Sequence, residues 1–156
     1  MFDLLDNLFG GDNVLDEAIV WRIEFRNGDG PYHISIYNEA SARVKFPWVF
    51  KEEQRWYHPL PSTEPGIKKR FASMKKDSIE DDVFGFPSVE AYIKWFNKPQ
   101  WRRSLETAGF QLVKYRATRV AMGETQCIFS RKEAQKLAEY SPTEFDPQFG
   151  NSWDIR

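Results

Sequence analysis

The stretch Phe110-Gln111-Leu112-Val113-Lys114-Tyr115-Arg116-Ala117-Thr118-Arg119-Val120 sets the architecture. Val113, Tyr115 and Ala117 alternate with Lys114, Arg116 and Thr118, the two-residue period of a strand with one face turned to a core. Met122-Gly123-Glu124 then reads as a turn, and residues 125–129 as a short apolar strand returning beside the first. Just upstream, Gly109 stands where a left-handed residue stops a helix, and Asn97 and Pro99 open that helix, which carries Trp101, Leu105 and Ala108. Before it, Ser88 is an N-cap with Glu90 in the first turn. Val89, Tyr92, Ile93 and Phe96 then repeat at the spacing of a buried helical stripe. Downstream, Ser130 and Glu133 match a capping box, which predicts a last helix bearing Ala134, Leu137 and Ala138. Residues 141–156 hold two prolines and no apolar period, so an extended tail is expected.

Toward the N-terminus, Ile19, Trp21, Ile23 and Phe25 alternate with Val20, Arg22 and Glu24, again a strand with one buried face. Asn27-Gly28-Asp29-Gly30-Pro31 ends it as a turn, and a second strand is expected over residues 32–37. Residues 1–11 suit a short amphipathic helix, because Phe2, Leu4, Leu5, Leu8 and Phe9 fall among polar residues. Residues 38–82 show irregular aromatic spacing and prolines at 47, 59, 61 and 65, so they read as a long irregular insertion. Together these elements predict one α+β domain: a small mixed or antiparallel sheet with helices packed on one face.

At 156 residues the chain has the size of one domain able to bury a core without disulfides. Aromatic residues make up 16% of it, which either fill that core or mark a docking surface. A net charge of −1 argues against nucleic-acid or membrane binding driven by a global field. Lys68, Lys69, Arg70, Lys75 and Lys76 are followed by Asp77, Glu80, Asp81 and Asp82, so this basic block is cancelled at long range by an acidic one. No apolar run approaches the ~20 residues that span a bilayer. Asp3 and Asp6 interrupt the start, so a signal peptide is not expected; the cytoplasm is, that of a host if the protein is viral.

His33, His58 and Cys127 show no metal-ligand spacing, and Cys127 falls on an apolar strand where a thiol is packing, so no metal site is expected. The glycine-rich turn beside Arg22 and His33 reads as a hairpin turn or as a place where backbone approaches a ligand. Trp56-Tyr57-His58-Pro59-Leu60-Pro61 reads equally as a stacking platform for a base or as a plug at the edge of a core. Trp95 and Trp101 read as core, with Arg102 and Arg103 on a solvated face.

Three segments, Trp21-Arg22-Ile23, Phe84-Gly85-Phe86-Pro87-Ser88 and Gly123-Glu124-Thr125-Gln126-Cys127-Ile128-Phe129, together resemble the ADP-ribosyltransferase-like superfamily. The resemblance implies a cleft binding NAD or a related nucleotide-like small molecule. Arg22 would pair with phosphate, His33, Tyr57 and His58 would hold the base, and Ser88 with Gln126 would bond the ribose. Gln126 occupies the position of that family's catalytic Glu, which leaves Glu124 as the acidic group. Gly28-Asp29-Gly30-Pro31-Tyr32, His58-Pro59-Leu60-Pro61 and Phe84-Gly85-Phe86-Pro87-Ser88 also look like segments of small accessory proteins encoded by bacteriophages. In that setting the competing expectation is a non-enzymatic protein that blocks a host protein by inserting Trp48, Phe50 and Trp56 into its surface.

Overall fold

A computed structural model describes residues 11–31, 60–77 and 81–147. In chain order these form β1 (Val14–Glu24), α1 (Lys68–Asp77), β2 (Asp82–Gly85), α2 (Val89–Trp95), α3 (Pro99–Ala108), β3 (Gln111–Met122), β4 (Cys127–Ser130) and β5 (Gln135–Tyr140). The five strands make one antiparallel sheet in the order β1-β3-β4-β2, with β5 pairing β3 below β4. This is the α+β class that alternation and capping predict. Its hub is β3, the long strand on which the sequence reading centres.

The sheet does not lie open. Just past β2, Phe86 forms an antiparallel bridge to Trp21, so the last strand of the order returns to the first and the sheet curls into a small barrel. Val20, Val113, Tyr115, Ala117, Val120, Cys127 and Phe129 form the cluster on the concave side. On the outer side, α2 and α3 cover Ile23, Phe86 and Leu112, using Tyr92, Ile93, Phe96, Trp101 and Leu105. Phe71 and Met74 of α1 pack there too, against Ile67, Ala121 and Ile128. All three helices therefore lie on one face, as expected.

Arg119 is the one non-glycine residue with positive φ among the described residues, at 51°. It falls opposite Asp16, where the β1–β3 ladder skips a pair. Buried positions shift phase there, from Val113, Tyr115 and Ala117 to Val120, so a kink in the hub strand helps the sheet curl.

The helices at α2 and α3 form where their caps predict. Ser88 accepts a bond from the Ala91 amide at 3.1 Å, Pro99 sits in the first turn of α3, and Gly109 closes α3 at φ 97°. Three readings are corrected. The predicted last helix is β5, because Gln135–Tyr140 completes the exposed flank of β3, and Glu133 pairs with Arg119 at 2.7 Å instead of bonding back to its own turn. Helix α1 lies inside the stretch read as irregular; its N-terminal amides at Lys69 and Arg70 are capped by Asp12, far away in sequence. Arg102, expected on a solvated face, is 1% exposed and joins Asp146 at 2.5 Å. The described start of the tail is consequently docked, with Tyr92 Oη donating to the Pro142 carbonyl at 2.7 Å. Residues 1–10 of the expected helix over residues 1–11, the strand over residues 32–37, residues 38–59 of the insertion and residues 148–156 of the tail lie outside the described residues.

Candidate functional site

Strand alternation points Val20, Arg22 and Glu24 into the barrel, the face that sequence reading treats as the wet one. Both faces of this half of β1 are in fact covered. The charged pair reaches the barrel rim, where Glu24, 3% exposed, gathers three donors. Arg22 Nε donates to its Oε2 at 3.2 Å, Arg131 Nε to the same oxygen at 3.1 Å, and Tyr115 Oη to Oε1 at 2.7 Å. Arg22 also donates to the carbonyls of Phe84 at 2.6 Å and Gly28 at 3.0 Å. Burial pulls the Arg22 pKa down while Glu24 opposes that shift. Burial, then the bond to Glu24, pushes the Tyr115 phenol up to about 12. This cluster ties β1, β2, β3 and the turn at Gly28 together from inside, and its Arg22 has all three guanidinium nitrogens engaged by protein groups.

Ser88 lies elsewhere, at the start of α2 on the outer side. Gln126 sits in the β3–β4 turn, where its Nε2 donates to Glu64 at 2.7 Å. The other oxygen of Glu64 accepts from the Thr125 amide and hydroxyl at 2.7 and 2.8 Å, so a buried carboxylate from before α1 clamps the turn. Glu124 is exposed on that turn. Arg22, Ser88 and Gln126, expected at one cleft mouth, thus occupy the barrel interior, the outer helix face and a clamped turn. Cys127 is fully buried, and burial raises its thiol pKa, which keeps it protonated packing. His33, Tyr57, His58, Trp48, Phe50 and Trp56 lie outside the described residues.

Sequence reading missed Glu24, Tyr115 and Arg131. One sign was available: Arg22 and Glu24 are two apart on a strand, hence on one face, and opposite charges so placed pair readily.

An open groove of about 430 Å³ does lie on the outer side, lined by Ile19, Trp21, Pro87, Ser88, Val89, Glu90 and Phe145. It forms because the chain leaves the sheet after Phe86. The next antiparallel pair would join Ile19 to Ser88, but Pro87 has no amide hydrogen and Ser88 caps α2 instead. Trp21 floors the groove, with Tyr140 and Phe145 rings at 5.8 and 5.7 Å and Lys114 Nζ 5.5 Å from its centre. Beyond it Ile19, Leu15 and Val14 are 38%, 37% and 44% exposed.

No helix among the described residues is long and apolar enough to cross a membrane. No curated protein and no solved structure matches the chain. A family model described as Bacteriophage T4 Y00F protein matches residues 15–143, a span from the exposed half of β1 through the docked start of the tail. The chain therefore belongs to the bacteriophage T4 Y00F protein family.

Proposed function

We propose that the chain is a small phage accessory protein that acts by binding a host protein. The observation that supports this best is the exposed apolar rim of β1, Val14, Leu15 and Ile19, running into the Trp21 groove. Large apolar side chains left open to water beside a groove are a common feature of docking sites. Trp48, Phe50 and Trp56 are further proposed contacts, as aromatic anchors of the kind that dominate such interfaces. The transferase-like alternative asks Arg22, Ser88 and Gln126 to meet around NAD, and their separate hydrogen-bond commitments give it no support.

The test immobilises the full chain, recovers host proteins, and titrates each purified candidate in solution by calorimetry. A saturable stoichiometric complex is expected, and nucleotides, NAD included, are expected to leave the melting temperature unchanged. Stabilisation by NAD, with turnover abolished in Glu124→Gln, would replace this reading with an enzymatic one.

A further inference from the structure

We infer that Asn27 is a site of spontaneous covalent modification, deamidation through a cyclic imide formed with the Gly28 amide, and that the turn around it restrains the reaction while the barrel rim is closed. Of the asparagines in the chain, Asn27 alone precedes a glycine. A glycine nitrogen has no Cβ beside it, so it approaches the preceding side chain closely. Hydroxide takes the Gly28 amide proton, and the nitrogen lone pair forms a bond to Asn27 Cγ. The Cγ–Nδ2 bond breaks, and that nitrogen leaves as ammonia after taking a proton from water, which returns the hydroxide. Water then opens the imide at Cγ to give aspartate at position 27, or at the main-chain carbonyl carbon to give isoaspartate. Water is thus the only co-reactant.

The turn holds both reacting groups. The Gly28 amide, which must lose its proton, donates it to the Phe25 carbonyl at 2.8 Å, and the Phe25 amide donates to the Asp29 carbonyl at 2.8 Å. The Asn27 side chain, which must swing toward that nitrogen, is gripped at both ends by Asp29. Its Oδ1 accepts from the Asp29 amide at 2.9 Å, and its Nδ2 donates to Asp29 Oδ2 at 3.1 Å. Asn27 is exposed and Gly28 buried, so water reaches the amide that is attacked while the attacking nitrogen stays engaged. The reaction therefore waits on opening of the turn.

Opening of the turn and release of the barrel rim are coupled through Gly28. Its carbonyl accepts from Arg22 Nη2 at 3.0 Å, and its Cα lies so close to Arg131 that a Cβ there would stand 2.6 Å from the guanidinium carbon. Both products oppose reclosure. A carboxylate at position 27 replaces the amide that donates to Asp29, so attraction becomes like-charge repulsion. The isoaspartate product also lengthens the main chain by a methylene between positions 27 and 28, where Arg22 and Arg131 leave no slack. An opening that is reversible before conversion is thus made permanent by it.

The test incubates the full protein in mildly alkaline buffer, native and in urea, and follows position 27 by peptide mass spectrometry with isoaspartate resolved from aspartate. In urea Asn27 should convert faster than Asn13 or Asn97 and give both products, whereas native conversion should be at least about tenfold slower. Asp29→Ala removes the acceptor of Asn27 Nδ2 and should speed native conversion about fivefold, the worth of one hydrogen bond, with the rate in urea unchanged. Asp29→Asn keeps an oxygen acceptor and should stay near the parent. Converted protein should unfold at a lower urea midpoint, with the isoaspartate form below the Asn27→Asp variant. Native conversion as fast as that in urea would overturn the restraint, a comparison that needs no variant to fold. A native rate unaltered by Asp29→Ala would overturn the role of Asp29, aspartate without isoaspartate the imide route, and an unchanged urea midpoint the coupling to the rim.

Discussion

Trp21 and Phe86, 65 positions apart, exchange both of their backbone hydrogen bonds, at 3.0 and 2.6 Å, and this single bridge closes the sheet. Its closeness depends on Gly85. A Cβ at that position would stand 2.7 Å from the Trp21 carbonyl oxygen and 2.9 Å from Phe129 Cε1. Gly85→Ala is therefore expected to lower stability by about 1–3 kcal/mol, measured by urea unfolding, and to speed exchange at the Trp21 and Phe86 amides first.

Removing the charge of Glu24 leaves Arg22 buried with carbonyl partners only. Glu24→Gln should cost about 3 kcal/mol in the same unfolding assay. The double replacement Arg22→Met with Glu24→Gln should cost less than the sum of the two single changes, because the uncompensated buried charge is gone.

Tyr115 predicts an alkaline response. Its phenol titrates near 10 in the unfolded chain and is pushed up to about 12 in the fold, so the folded state holds its proton longer. The stability this represents is intact below about pH 10 and is lost as pH rises from about 10 toward 12, where the unfolded chain binds fewer protons. Tyr92, whose pKa burial also raises, adds to the loss in the same direction. Urea midpoints measured from pH 8 to 11 should fall less steeply for Tyr115→Phe than for the parent.

Much of the fold was readable because its rules are local. Ser88, Pro99 and Gly109 mark helix ends within one turn of the residues they cap, and the alternation in β3 needs no partner to be seen. What stayed hidden depends on distant chain. Among its described side chains helix α1 presents Phe71 and Met74 to the core, and it takes its cap from Asp12. The capping box at Ser130 and Glu133 misled because β3 had an open flank, and pairing along Gln135–Tyr140 outweighed a short helix whose one stripe of Ala134, Leu137 and Ala138 offered little to bury. The candidate site was legible in Trp21 and Ser88, as strand and cap. The groove between them was not, since it exists only once the barrel closes.

Cys127 offers a chemical check on that closure. With the thiol buried and its pKa raised, a disulfide reagent should modify the native protein only at the rate of opening, and immediately in denaturant. Gly85→Ala should accelerate the native reaction more than Ser88→Ala, whose cost of about 1 kcal/mol falls on the start of α2.

The guanidinium of Arg102 is sealed from water with Asp146 as its counterion, and also donates to the Phe96 carbonyl at 2.5 Å. Any shortened version of the protein ending before position 146 would leave this guanidinium on α3 without its counterion. The last turn of the described chain is thus a latch, and tags or fusions belong beyond it.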